Sequence, residues 1–286
     1  SYNGHEYDDN LERFCFFCLA LLHAIPQTGW RPDIVHCHDW HTAPIPVHLK
    51  TRYNEDPYWK GVKTLFTIHN LAYQGRYHAD LYGRTGFSPE LFHMNALEYE
   101  GDMNLMKGAL AFADKLTTVS PRYAREIQTI EYGAGLHGML STRKDDLHGI
   151  LNGVDYDLWN PSKDSHIEAP YDANDLSGKR ICRQALQAKF GLLERDVPVF
   201  GIVSRLHWQK GIDLLEAALY DIMQHDLQLV VLGTGDPKIE GQLTSAASRF
   251  PDKLGVYIGF DAARSHAIQA GSDFFLMPSR YEPCGL

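Results

Sequence analysis

Arg205 and Lys210 place two positive charges close together in the segment SRLHWQKG, directly after a short apolar run. A guanidinium grips phosphate oxygens with a fork of donors, and an ammonium acts as a mobile point charge. Together they could neutralise a diphosphate leaving group as its bond to a sugar breaks. An arbitrary Arg and Lys would more often be solvated surface cations. Their position in the fold therefore decides between a surface role and phosphate binding.

Polar or special residues also follow the other apolar runs of the chain. Carboxylate, imidazole and amide groups suit sugar hydroxyls, and the chain offers them in its first half. In order, the residues at the ends of these runs are His38, Asp39, Trp40, His69, Asn70, Ser120, Asn152, Gly233, Thr234, Gly235, Asp236, Phe260, and Ser279 to Glu282.

The runs themselves are short and rich in β-branched residues, and segments with helical periodicity follow them. They read DIVHCHDW, VKTLFTIHN, KLTTVSP, LHGILNG, VPVFGIVSR, LQLVVLG, LGVYIGF and DFFLMPS. This alternation predicts βαβ units with parallel sheets, in which ligands bind beyond the carboxyl ends of the strands. Ser120-Pro121 and Asp236-Pro237 are typical helix starts.

A polar stretch between Asn152 and Asp196 interrupts the strands and predicts two Rossmann-like α/β domains facing a cleft, 1–158 and 159–286. The cleft between two such domains is a common place for a ligand. One side would offer sugar-binding groups, and the other would offer Arg205 and Lys210.

Composition excludes several classes of function. With 286 residues and a formal net charge of -9, the chain lacks the basic surface that nucleic-acid binding requires. No apolar stretch is long enough to span a bilayer, and the start SYNGHEYDDN is unlike a signal peptide. Five cysteines without a framework suit a reducing compartment, and the C-x-x-C at Cys15 and Cys18 lies in a predicted buried helix. These features predict a cytoplasmic protein, although a removed plastid transit peptide would leave no trace.

Two further segments could approach an anion. GTGD follows a strand and precedes a helix, but it lacks the third glycine of a dinucleotide fingerprint. SRYEPCGL presents Glu282 beside Gly285 and Leu286, whose amides would begin a helix if the chain continued. The sequence is therefore expected to be a fragment.

Taken together, HCHDWH, TIHNLAYQG, VSPRYAREI, GILNGVD, SRLHWQKG, GTGD and SRYEPCGL resemble the bacterial glycogen synthase and plant starch synthase family over nearly the whole chain. The resemblance implies a GT-B fold with both domains incomplete, and glucose transfer from ADP-glucose to the non-reducing end of an α-1,4-glucan with retention. It implies no cofactor, metal, nucleic acid or membrane. It also favours front-face attack, in which the leaving phosphate takes the proton of the acceptor.

The resemblance also assigns roles to individual residues. The catalytic set would be His69 near the reacting carbon, Asp39, Arg205 and Lys210 on the diphosphate, and Glu282 on the glucose hydroxyls. Asn70 and Tyr73 would lie toward the acceptor. The donor would contact Trp40, Asn152, Gly233, Thr234, Gly235, Asp236, Phe260, Tyr281, Cys284, Gly285 and Leu286.

Two parts of the family pattern are missing. The Lys-x-Gly-Gly-Leu loop that closes over the donor phosphates does not occur, and nothing follows EPCGL. The 286-residue chain is therefore expected to be inactive alone, while the complete protein is active.

Several alternatives remain open at this point. His36, His38, Asp39 and His41 could form part of a metal-dependent hydrolase site. Asp155-Tyr156-Asp157 matches a metal-binding D-x-D, although a solvated turn explains it as well. A glucan-binding protein without activity, and other transferases of the same fold such as sucrose or trehalose-phosphate synthases, are also compatible. Glucan phosphorylase is less so, because no lysine motif for pyridoxal phosphate is found.

Overall fold

A computed structural model describes residues 7–285 of the chain. They divide into two compact units: 7–152 together with 283–285, and Gly153–Glu282. The division predicted after Leu158 refers to the domains of the family and stays a prediction.

The first unit contains a 4-stranded parallel sheet in the order β1-β2-β6-β7. Its strands are β1 (Ile34–His38), β2 (Lys63–Ile68), β6 (Lys115–Thr118) and β7 (Leu147–Gly149). Each lies within an apolar run of the sequence, so the strands predicted for this half are confirmed. The helices of the unit are α1 (Asn10–Gln27), α2 (Asp39–Thr42), α3 (Pro44–Lys50), α4 (Leu105–Phe112), α5 (Pro121–Glu126) and α6 (His137–Thr142).

A small antiparallel sheet in the same unit was not predicted. Its order is β3-β5-β4, from β3 (Arg76–Tyr77), β4 (Glu98–Tyr99) and β5 (Asp102–Asn104). Strand β3 belongs to the loop that follows β2, so its pairing with β5 holds that loop in place.

The C-x-x-C motif lies in α1, as predicted. Cys15 and Cys18 are buried on the face that also buries Leu11 and Leu22, and both thiols are free. Burial raises the pKa of Cys15 to about 12, so the thiol stays protonated and acts as a small apolar group.

The second unit repeats the architecture with a 4-stranded parallel sheet in the order β10-β9-β8-β11. The strands are β8 (Val199–Val203), β9 (Gln228–Gly233), β10 (Leu254–Ile258) and β11 (Phe274–Phe275). Apolar clusters cover the sheet, and every residue of β9 is buried. The helices are α7 (Ser177–Lys189), α8 (Ile212–Ile222), α9 (Pro237–Arg249) and α10 (Ala262–Gly271). The predicted fold of two Rossmann-like α/β domains is confirmed.

Both predicted helix starts are confirmed. Ser120 Oγ accepts a hydrogen bond from the Tyr123 amide at the start of α5, and Asp236 accepts one from the Lys238 amide at the start of α9. These side chains satisfy amides that the first helical turn leaves unpaired.

The polar stretch that opens the second unit is tied to α10. His266, which is buried, lies 2.6 Å from Asp164 through its Nδ1 atom, and the Trp159 ring stacks on it at 3.8 Å. Among residues 7–285, every helix is too short or too polar to cross a membrane.

Candidate active site

Asp39, His69 and His38 meet where β1 and β2 end. These strands pair in parallel, with His38 opposite Thr67, so the residues that follow them share one edge of the sheet. Asp39 Oδ1 accepts a hydrogen bond of 2.8 Å from the His69 amide, and His38 Nδ1 lies 3.0 Å from His69 Nε2. Asp39 has a φ of 54°, an uncommon backbone conformation outside glycine. The structure thus brings together two of the predicted catalytic residues.

The surroundings of His36 and His38 lower the pKa of both imidazoles and so favour their neutral forms. Desolvation lowers the pKa of His38, and the nearby His36 and His69 rings lower it further, while Asp39 acts in the opposite direction. Desolvation and then His69 also lower the pKa of His36, whose ring centroid lies 4.1 Å from that of His38. The Nδ1 atom of a neutral His38 can donate or accept one hydrogen bond, depending on the tautomer. Its bond to His69 Nε2 orients the His69 ring.

The loop after β2 carries both predicted acceptor residues. Asn70 Oδ1 accepts a hydrogen bond from the Ala72 amide, and the Asn70 carbonyl accepts one from the Tyr73 amide. Tyr73 and Trp40 line one cavity of about 430 Å³. The other lining residues are Ala72, Gln74, Gly75, Arg76, Tyr77 and Ala134. Aromatic walls with a few polar groups are typical of a binding cavity.

Gly75 lets this loop pass close to Trp40. Its φ is +61°, and a Cβ atom there would lie 2.6 Å from the indole ring. We expect Gly75→Ala to lower the free energy of unfolding by roughly 2–4 kcal/mol, because strain at positive φ adds to overpacking. Urea unfolding would measure the loss. Gly101→Ala is the control, since Gly101 has a φ of +84° and open space around the added methyl. Equal losses in the two variants would contradict the close approach to Trp40.

The remaining predicted residues of the first unit are more dispersed. Asn152 is exposed beyond the end of β7. Cys284 and Gly285 belong to the segment that packs with this unit, where Ser120 Oγ donates a hydrogen bond of 2.7 Å to the Pro283 carbonyl. Gly285 has a φ of 86°, as expected for a tight turn. Leu286 lies outside the described residues.

Lys210 and Glu282 form a close ion pair at the sheet edge of the second unit. Lys210 Nζ lies 2.6 Å from Glu282 Oε2, and Ser279 Oγ donates to the same oxygen at 3.0 Å. Their side chains retain 18% and 21% exposure, so the pair is partly desolvated but still reachable. The structure thus joins two predicted catalytic residues that are far apart in sequence.

Other predicted residues of this unit lie on the same edge of the sheet. Arg205 follows β8 with its side chain exposed, and Phe260 follows β10 with 89% exposure. Tyr281 adjoins Glu282, and its carbonyl accepts a hydrogen bond of 3.5 Å from Gln209 Nε2. Exposed Phe260 is available for stacking on a planar ring.

An anion already occupies the predicted GTGD turn. Glu240, in α9, accepts hydrogen bonds from Thr234 Oγ1 at 2.7 Å and from the Gly235 amide at 2.8 Å. Gly233 and Gly235 pass close to backbone carbonyls, where a Cβ atom would lie 2.0 and 2.3 Å from the nearest oxygen, and Asp236 caps α9. In this structure the turn binds a carboxylate of the protein itself, and contact with a donor molecule stays a prediction.

A metal site would need several His, Cys, Asp or Glu side chains close together. Within the part of the chain that the structure describes, no cluster of three or more His, Cys, Asp or Glu side chains has a suitable arrangement. Asp155, the first residue of the D-x-D sequence, accepts hydrogen bonds from the Asp157 and Leu158 amides and so forms a turn.

Sequence reasoning missed several residues that shape the site. Glu240 carried a weak signal, because it lies in the first turns of a helix whose cap was recognised. Asp213 carried no local signal, because its partner Arg280 lies 67 positions away. Gln74 carried little, because two of its partners, Ala134 and Asn104, lie 60 and 30 positions away. Gln74 joins the cavity loop to the Ala134 carbonyl at 2.9 Å and accepts a hydrogen bond from Asn104 at 2.6 Å.

Comparison with known proteins identifies related chains. Residues 1–142 match the model of the starch synthase catalytic domain family, and residues 197–286 match that of glycosyl transferases group 1. A glycogen synthase of Anaeromyxobacter sp. (strain Fw109-5) is 48% identical over 99% of this chain and 60% of its own length. Glycogen synthase 1 of Geobacter metallireducens is also 48% identical, over 99% of this chain and 57% of its own.

A solved structure agrees with these matches. The catalytic domain of starch synthase IV from Arabidopsis thaliana, bound to ADP and acarbose, has a TM-score of 0.89 and 36% identity, covering 99% of this chain and 59% of that one. The chain therefore spans 57 to 60% of the length of these relatives. Fold and matches define a glycosyltransferase chain of the GT-B class. Within that class, the chain belongs to the glycogen synthase family.

Proposed function

We propose that the complete protein transfers glucose from ADP-glucose to the non-reducing end of an α-1,4-glucan with retention of configuration. The observation that carries the proposal is the Lys210–Glu282 pair at 2.6 Å, held by Ser279 at the end of a parallel sheet. It combines a cation for a diphosphate with a carboxylate for sugar hydroxyls. The names of the relatives and the ADP bound to the starch synthase IV structure support this choice of substrate.

In the proposed donor site, Lys210 and Arg205 stabilise the diphosphate as negative charge develops on it. An ammonium has three donors, so Lys210 can bind Glu282 with one and still direct the others at phosphate. Such preorganised charges act mainly on the transition state. Phe260 would stack on the nucleoside base, and the Cys284–Gly285 turn would bind phosphate oxygens.

In the proposed acceptor site, the cavity beside Trp40 and Tyr73 receives the glucan end. Sugar rings present apolar C–H faces and polar edges, which suit a cavity with aromatic and amide groups. His69 and Asp39, which are joined by a hydrogen bond of 2.8 Å, would lie near the reacting carbon of the donor glucose.

The environment of Glu282 favours front-face attack over a covalent intermediate. Its Oε2 atom accepts hydrogen bonds from both Lys210 and Ser279, which withdraw electron density from the carboxylate. A carboxylate held in this way is oriented to accept hydrogen bonds from sugar hydroxyls. The departing phosphate would then take the proton of the acceptor, and the reaction would need no cofactor beyond the donor substrate.

The test is an assay of the complete protein with ADP-glucose, UDP-glucose and a malto-oligosaccharide. We expect release of ADP that depends on the oligosaccharide, slower turnover of UDP-glucose, and new α-linked glucose detected by proton NMR. Release without any dependence on the acceptor, or a β-linked product, would contradict the proposal.

We also propose that the protein works in a bacterial cytoplasm, with the plastid stroma as the alternative. The bacterial sources of the most similar relatives reported above favour the first compartment.

A further inference from the structure

Lys210 and Glu282 both lie in short irregular segments. Lys210 ends a single 3-10 turn, Trp208–Lys210, and Glu282 lies beyond the two-residue strand β11. Segments of this kind move easily unless other contacts hold them. A catalytic pair at 2.6 Å therefore requires something that fixes one segment to the other.

Arg280 provides contacts to the segment that carries Lys210. Its Nη1 and Nη2 atoms donate to Asp213 Oδ1 and Oδ2 at 2.6 and 2.7 Å. Nη1 also donates to the Trp208 carbonyl at 2.7 Å, and the guanidinium carbon lies 4.6 Å from the centre of the Trp208 ring. The Arg280 amide donates to the Gln209 carbonyl at 3.0 Å.

These contacts surround Lys210 on both sides along the chain. Trp208 and Gln209 precede it, and Asp213 follows it in the first turn of α8. A planar guanidinium that binds both oxygens of a carboxylate fixes direction as well as distance, which an ammonium cannot do. The mutual hydrogen bonds raise the pKa of Arg280 and lower that of Asp213, so both remain charged.

We propose that Arg280 is a positioning residue for the transfer reaction: its guanidinium fixes residues 208–213 so that Lys210 meets both Glu282 and the donor diphosphate. The inference rests on the proposed function. Arg280 itself would touch no substrate and would act through Lys210.

If the role of Arg280 were purely structural, its substitution would lower the stability of the fold. A positioning role predicts little change in stability. The Arg280 and Asp213 side chains are 24% and 39% exposed, and ion pairs at that exposure contribute little to stability. Loss of the two hydrogen bonds from Arg280 to Asp213 should therefore leave the fold intact, while Lys210 becomes less firmly positioned. Misplacement of a catalytic group by about 1 Å can lower a rate by about 100-fold.

The first arm of the experiment compares Arg280→Lys with wild type in the complete protein. We expect kcat/KM for ADP-glucose to fall roughly 10- to 100-fold and ADP to bind more weakly by calorimetry. KM for the glucan and the melting temperature should hardly change. Arg195→Lys is the control for the loss of an arginine ion pair, because Arg195 binds Asp226 at 2.6 Å away from Lys210 and Glu282. This substitution should leave ADP binding unchanged.

The second arm repeats Arg280→Lys in a Lys210→Ala background. If Arg280 acts through Lys210, the second substitution should weaken ADP binding little further, which is the signature of coupled residues. Additive losses, or wild-type kinetics in Arg280→Lys, would overturn the inference. A wild-type protein that neither binds ADP nor transfers glucose would overturn the proposed function instead, so the two failures are distinguishable.

Discussion

Replacement of Lys210 by alanine is expected to lower kcat for glucosyl transfer by about 100- to 1,000-fold. The ammonium lies 2.6 Å from Glu282 and is partly desolvated, so its charge is weakly screened where the diphosphate would leave. The expected loss is larger in kcat than in KM, because the negative charge of the leaving group is greatest in the transition state. Steady-state release of ADP from ADP-glucose by the complete protein measures both constants.

Two further variants separate charge from folding. Lys210→Arg keeps a positive charge at the position but changes its shape, so it should recover part of the activity. Lys144→Ala removes an exposed lysine of the first unit and should leave the rate unchanged. Unaltered kinetics in Lys210→Ala would remove the diphosphate role from this residue.

The parallel sheets were predictable because their strands carry strong local signals. All residues of β9, from Gln228 to Gly233, are buried, and a strand covered on both faces reads as a continuous apolar run. Ser120 and Asp236 were recognisable as helix caps because each precedes a proline in the first turn of its helix. Residues at strand ends could then be named before any contact among them was known.

The interactions inside the site were not predictable in the same way. Arg280 and Asp213 are 67 positions apart, and no local sequence pattern at either residue predicts that they form an ion pair. The antiparallel sheet β3-β5-β4 uses strands of two or three residues that include Arg76, Glu98 and Asp102, whose types do not indicate a strand. The binding of Glu240 in the GTGD turn likewise depends on the geometry of its side chain. The spacing of these residues in the sequence does not determine that geometry.

Gly211 directly follows Lys210 of the Lys210–Glu282 pair, and its substitution gives the second large expected effect. It follows Lys210 with a φ of +67°, and a Cβ atom there would lie 2.1 Å from the Pro278 carbonyl oxygen. Relief of that contact would move apart the segment leading to Glu282 and the segment that carries Lys210. We expect Gly211→Ala to lower the free energy of unfolding by roughly 3 kcal/mol, and the transfer rate by on the order of 100-fold.

Gly191 offers an unusually close control for this substitution. It has the same φ of +67°, but an added Cβ atom would meet nothing within 4 Å. Gly191→Ala should therefore show only the strain of the left-handed backbone, about 1 kcal/mol, with the transfer rate of wild type. Urea unfolding and ADP release, measured on both variants, isolate the effect of the close approach. Similar losses in the two would mean that contact between Gly211 and Pro278 does not hold Lys210 against Glu282.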